Sequence, residues 1–237
     1  KDLGMKAVAI TDHGAMYGIL QLYKECRKVG IKPIIGCEVY TARRKRTDKI
    51  HGIDSTQGHL VLLAKNNTGL HNLMKMVSQS FEDGYYYKPR VDKELLRQYS
   101  EGIIALSACL SGEIPEAIID KDFNKAKATA LEYLDIFGEG NFYLELQYNK
   151  IPEQELVNKY LIKLSNELNI PLVATNDVHY LEKTDAKAHD ILLCIQTAKT
   201  VLDENRMRFP SDEFYFKSQD EMMKEFSNVP EAITNTQ

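Results

Sequence analysis

The chain has 237 residues, 43% of them hydrophobic and 27% charged, enough for one large domain or two small ones. Its 30 basic and 34 acidic side chains leave a net charge of −4, which excludes a surface that grips nucleic acid by bulk positive charge and leaves only a local basic patch to do so. No apolar run approaches the roughly 20 residues that span a bilayer, nothing resembles a signal peptide, and the four cysteines lack the paired spacing of a disulfide scaffold or a zinc ribbon, so a reducing cytoplasm is the expected compartment.

The chain opens on Lys1-Asp2-Leu3-Gly4, which reads as the last turn of a helix and, with no initial Met, as part of something larger. A short apolar run, a polar turn and an amphipathic stretch then recur. Ala7–Thr11 reads as a buried strand left at Asp12-His13-Gly14, and Met16–Val29 follows at helical spacing until Gly30. Pro33 starts a strand over Ile34–Tyr40. The cadence returns as strand Leu60–Ala64 with helix Thr68–Ser80, and as strand Gly102–Ser107 with helix Glu113–Ile119. Strand Phe142–Leu146 precedes helix Glu153–Leu168, and strand Pro171–Thr175 precedes helix Thr184–Thr197. Strands alternating with helices predict an α/β fold with a mainly parallel sheet, and six strands apolar on both faces fit a closed or nearly closed barrel better than an open sheet.

Three segments break the cadence. Thr41–Gly58 is a polar insertion with Arg43-Arg44-Lys45-Arg46, expected to be solvated. Phe81–Val91 interleaves aromatics with cations; Tyr86, Tyr87, Lys88 and Arg90 are the types that stack on bases and meet phosphates. After about Leu202 the cadence stops, so residues 1–202 read as the barrel and 203–237 as an exit segment.

The polar residues at the carboxyl ends of the strands are Asp12, His13, Glu38, Cys109, Asp177 and His179. In a parallel barrel these ends form one mouth, so distant residues converge there. Imidazole, carboxylate and thiolate together suit Zn²⁺, with Mn²⁺ or Fe²⁺ competing. Asp177 and His179, spaced i and i+2 in extended chain, face the same way. Singly, each has a plainer reading: Asp12-His13 as a turn cap and Cys109 as a small buried hydrophobe. Glu38 is harder to dismiss, because an unpaired carboxylate in an apolar strand is costly to bury. His59 begins its strand, so it reaches this mouth only if that strand runs the other way or has a different boundary. His71 and His189 fall in helical stretches, His51 in the insertion, and Cys26 and Cys194 on apolar helix faces, all read as surface or packing; Cys37 should point away from its neighbour Glu38.

Several stretches together carry a family resemblance. They are Ala9-Ile10-Thr11-Asp12-His13-Gly14, Lys32-Pro33-Ile34-Ile35-Gly36-Cys37-Glu38, His59-Leu60-Val61-Leu62-Leu63-Ala64, Tyr86-Tyr87-Lys88-Pro89-Arg90, Leu106-Ser107-Ala108-Cys109 and Ala174-Thr175-Asn176-Asp177-Val178-His179. With them, the chain resembles over its whole length the N-terminal PHP (polymerase and histidinol phosphatase) domain of the bacterial C-family DNA polymerase III α subunit. The resemblance implies a distorted seven-stranded α/β barrel with a divalent metal cluster at its mouth, held here by His13, Glu38, His59, Cys109, Asp177 and His179. It further implies that the family's first strand, with a His-x-His, lies upstream of Lys1, and that the polymerase palm, with its Mg²⁺ chemistry, lies beyond Gln237. The activity it implies is phosphodiester hydrolysis at DNA 3′ ends, with Asp12, His13 and Asp177 at the reacting centre, or structural support of DNA synthesis. A free-standing phosphoesterase of the histidinol-phosphatase kind is the alternative. Expected partners are DNA, the other polymerase domains of the same chain and replisome subunits such as a sliding clamp or a proofreading subunit, with no membrane.

Overall fold

The computed structural model describes residues 1–237. In chain order the elements are β1 (Ala7–Ile10), α1 (Ile19–Val29), β2 (Lys32–Ala42), β3 (Gln57–Ala64), α2 (Asn67–Glu82), β4 (Arg90–Val91), α3 (Lys93–Gln98) and β5 (Ile103–Leu106). There follow α4 (Glu113–Ile119), α5 (Phe123–Phe137), β6 (Phe142–Leu146), α6 (Pro152–Leu168), β7 (Leu172–Ala174), α7 (Ala186–Gln196), α8 (Gln219–Glu225) and α9 (Pro230–Thr234). Local chemistry sets many of the boundaries. Asn66 and Asp92 cap α2 and α3 by accepting from the backbone N–H of Gly69 and Leu95, each at 2.9 Å. Gly30 ends α1 at a φ of 73°, the left-handed value that a glycine takes without a Cβ clash.

The strands form one curled sheet in the order β1-β2-β3-β5-β6-β7, with the two-residue β4 beside β2. β3 runs antiparallel to both β2 and β5, and every other pairing is parallel. β1 and β7 do not pair with each other, so the sheet is an open, distorted α/β barrel instead of a closed parallel one. A cluster of 32 buried apolar residues lies between this sheet and the helices, with Leu60, Leu62, Leu73, Met76, Phe142 and Leu161 at 0% exposure. The helix α5, absent from the strand-by-strand cadence, places Ala126, Ala130, Tyr133 and Phe137 in that core.

The basic run in the insertion is solvent-exposed at Arg43, Arg44 and Lys45, as expected, but its three arginines are also ion-paired. Arg43 meets Glu116 at 2.5 Å, Arg44 meets Asp54 at 2.7 Å, and Arg46 reaches both Asp83 and Asp92. Arg90, expected on a strand-steering loop, is fully buried. Its guanidinium donates to the carbonyls of Gly84, Asp54, Arg46 and Asp48 at 2.8–3.1 Å, so it staples the insertion to the sheet and is unavailable to a phosphate.

Residues 203–237 fold back onto the barrel. Phe226, Val229 and Ala232 join the main core, and Asn235 donates to the carbonyl of Leu172 in β7 at 2.7 Å. Glu213, only 2% exposed, accepts from Lys150 at 2.5 Å and Lys183 at 2.7 Å, with the buried Lys217 at 3.5 Å. Burial alone would raise its carboxyl, but the hydrogen bonds from Lys150 and Lys183 and the neighbouring positive charges outweigh burial and hold it at about 2. A carboxyl lowered by folding stabilises above the ordinary carboxylate range and loses that contribution as pH falls toward its folded value. Urea unfolding across a pH series is therefore expected to show the parent losing about 2 kcal/mol more than Glu213→Gln between neutral pH and about pH 2, allowing for screening at the exposed lysines.

Candidate metal centre

The reversal of β3 decides the composition of the site. Tyr40 of β2 lies directly opposite His59 of β3, so His59 sits level with the carboxyl end of the parallel strand although it begins its own. Glu38, two residues before Tyr40, shares Tyr40's face of the strand, while Cys37 and Val39 point into the core. Past the end of β1, His13 bridges to Glu38: the N–H of Glu38 donates to the Asp12 carbonyl at 3.0 Å and that of Gly14 to the Glu38 carbonyl at 2.9 Å.

The side chains converge accordingly. The Glu38 carboxylate lies 2.7 Å from Nδ1 of His59 and 3.6 Å from Nδ1 of His13. Ligand atoms of His13, Glu38 and His59 lie within 4.8 Å of one another. Cys109 Sγ adds a thiol 3.6 Å from His59 Nδ1 and 3.8 Å from Glu38 Oε1. Asp177 and His179 approach each other to 3.3 Å, and the His179 ring centroid lies 6.3 Å from that of His13. Five segments of chain thus deliver six donors to one mouth. Two of the turns that do so are strained: Ala108, before Cys109, has φ 64° and Asp177 has φ 48°.

Electrostatically the mouth is short of positive charge. Burial pushes the Cys109 thiol well above its usual value, and the carboxylates of Glu38 and Asp177 add to the push. Burial likewise raises Glu145, behind the mouth, to about 7, with Glu38 and Asp177 contributing. His13 is lowered by burial, only partly offset by Glu38. Carboxylate, imidazole and thiol donors gathered in a half-buried pocket fit a borderline divalent cation, whose charge relieves this crowding.

Asp12 does not join the donors: its carboxylate lies against Gly18, where an added Cβ would sit 3.0 Å from Oδ2, and its contribution is the carbonyl that Glu38 and Cys37 donate to. On the rim, the exposed Lys88 reaches to 5.5 Å from the Tyr40 ring, which packs on His13 and His59. Tyr86 is half-buried over Arg90, and the exposed Tyr87 bonds to His51. His71 is exposed on α2; Cys26 and Cys194 are buried. His189 packs 5.7 Å from the His179 ring. Sequence reasoning missed the support for His179 from the last segment. Its N–H donates to the Phe214 carbonyl at 2.9 Å, and its ring meets Phe209 and Phe214 edge-on. Glu145 was missed as well, and the alternation of Phe142-Tyr143-Leu144-Glu145-Leu146 was its only signal.

Residues 1–149 match the PHP domain family. Over all 237 residues the chain is 46% identical to the DNA polymerase III subunit alpha of Borreliella burgdorferi and 47% identical to that of Treponema pallidum. Over 228 residues it is 44% identical to that of Thermus aquaticus. It spans about a fifth of these relatives, 21%, 20% and 18% of their lengths. A crystal structure of a candidate metal-dependent phosphoesterase from Bifidobacterium adolescentis aligns with 74% of this chain and 78% of its own at 13% identity and a TM-score of 0.45.

Zn²⁺ or Mn²⁺ at a hundredfold excess over its Kd is expected to raise unfolding free energy by about 2.7 kcal/mol. Thermal melts should show this shift in the parent, and Glu38→Ala, which removes the central carboxylate, should abolish it.

Proposed function

The chain belongs to the PHP domain family, and from that premise we propose that it is the PHP domain of a replicative DNA polymerase III α subunit, acting as a metal-dependent phosphodiesterase on DNA 3′ ends. The observation that carries this reading is the convergence of His13, Glu38 and His59, with ligand atoms within 4.8 Å of one another, beside Cys109, Asp177 and His179. These six residues would hold Zn²⁺ or Mn²⁺ ions. Bound divalent ions supply Lewis acidity toward water and toward an attacked phosphate.

The chain's own groups do the rest. Glu38, buried between two imidazoles, fixes His59 by a hydrogen bond at 2.7 Å and faces His13 at 3.6 Å. His13, with 41% of its side chain exposed and its pKa lowered by burial, favours the neutral form that can ligate a metal and is the donor most open to substrate. Asp177 stands beside His179 at the mouth, where it can orient a water or a leaving oxygen. Lys88, on the rim beside Tyr40, supplies an exposed cation for a backbone phosphate, with Tyr87 next to it for stacking. Arg90 has no such part.

A second reading is favoured by the five separate segments that supply the donors: metal there clamps the curled sheet and braces the rest of the polymerase, whose synthesis with Mg²⁺ resides outside this chain. In either case DNA, the remaining domains of the same chain and replisome subunits such as a sliding clamp or a proofreading subunit are the proposed partners, in the cytoplasm. A free-standing histidinol-phosphatase-like enzyme is disfavoured by relatives about five times as long, named as polymerase subunits.

Incubation of the full-length protein with 3′-labelled single-stranded DNA and Mn²⁺ or Zn²⁺ should release nucleotides in the 3′→5′ direction, with Asp177→Ala and His13→Ala slower by a hundredfold or more. No release from the parent, with chelation still lowering its Tm, selects the structural reading. No effect of chelation on either sinks both.

A further inference from the structure

Glu145 is the one buried carboxylate behind the mouth that the reading above leaves without a role. It is 3% exposed, and its two oxygens have different tasks. Oε2 accepts the backbone N–H of Ala108 at 2.9 Å. Oε1 accepts the Thr175 hydroxyl at 2.5 Å and the Gln147 amide at 3.1 Å. The Glu145 N–H in turn donates to the Ser107 hydroxyl at 2.8 Å. One side chain of β6, which lies between β5 and β7, thereby ties together the carboxyl ends of both.

The Ala108 tie reaches left-handed backbone directly, and the other grips the Thr175 hydroxyl just ahead of a second left-handed residue. Ala108 is held at φ 64°, a left-handed conformation that a residue with a Cβ keeps only where its surroundings enforce it. Cys109 is the next residue. Thr175 stands two residues before Asp177, itself at φ 48°. The two turns are thus anchored to one carboxylate, and each delivers a donor to the mouth. We propose that Glu145 is a positioning residue of the metal centre, its carboxylate fixing the backbone from which Cys109 and Asp177 present their ligand atoms. The proposal rests on the metal-centre reading and adds to it a residue whose hydrogen bonds all go to groups other than the ligand side chains.

Co²⁺ binding to the full-length protein tests it, because a thiolate ligand gives a charge-transfer band in the near ultraviolet that other Co²⁺ sites lack. The parent should show the band, and Cys109→Ser should not. Glu145→Leu should weaken Co²⁺ binding at this site by about 10- to 100-fold, the range for groups that orient ligands. Glu145→Gln should recover most of it, since an amide oxygen still accepts from Ala108 and the Gln147 amide can turn to match. Thr175→Val, which deletes one tie with little change of shape, should weaken binding several-fold. A folded Glu145→Leu with the parent's band and Co²⁺ affinity overturns the positioning role; should that variant not fold, parental affinity in Thr175→Val overturns it equally. Absence of the band from the parent itself overturns the metal-centre reading instead, and with it the basis of this proposal.

Discussion

Because β3 runs against both of its neighbours, a histidine at the start of one strand stands beside a glutamate near the end of another. Every other strand of the sheet is parallel, so their carboxyl ends, and the turns that leave them, share one edge. Only reversal brings the amino end of β3, with His59, to that edge. The tyrosine opposite His59 then packs beside both imidazoles, with ring centroids 6.0 Å from His13 and 5.2 Å from His59, which themselves lie 5.2 Å apart. Without the reversal Glu38 would keep one imidazole partner and the thiol of Cys109 would lose its nearest nitrogen.

The polar interior this creates differs from the rest of the protein. Elsewhere the buried carboxylates Glu213, Asp54 and Asp92 face lysine or arginine, and the buried Arg90 is satisfied by carbonyls. At the mouth, Glu38, Glu145, Asp177 and the Cys109 thiol lie near one another with no lysine or arginine among them; burial raises Cys109 and Glu145, and the neighbouring carboxylates add to it. Charge left unbalanced in a low-dielectric pocket is expensive. A site in which the protein has left out its own cations is suited to accept one from solution.

Much of this was legible in the sequence, for identifiable reasons. The strands declared themselves as apolar runs, and Glu38 stood out because it interrupts one. The direction of β3 was readable in principle: no helical stretch lies between Tyr40 and Leu60, and an antiparallel neighbour needs no crossover helix. The helix α5 follows α4 with no strand between them, so a rhythm of one helix per strand steps over it. Arg90 looked like a phosphate contact because Tyr85-Tyr86-Tyr87-Lys88 precedes it, yet its role is fixed by carbonyls from Arg46, Asp48 and Asp54, remote in sequence. Interactions with such distant backbone leave no local pattern.

The bond between the His179 N–H and the Phe214 carbonyl makes the last segment more than a cover. Phe214 is flanked by Glu213, gripped by lysines, and by Tyr215, which bridges to Tyr180, and α9 is moored to β7 through Asn235. The final helices and the mouth therefore form one mechanical linkage. The placement of one donor residue, His179, thus depends on a segment well downstream of it in sequence, whose Phe214 carbonyl holds its backbone N–H.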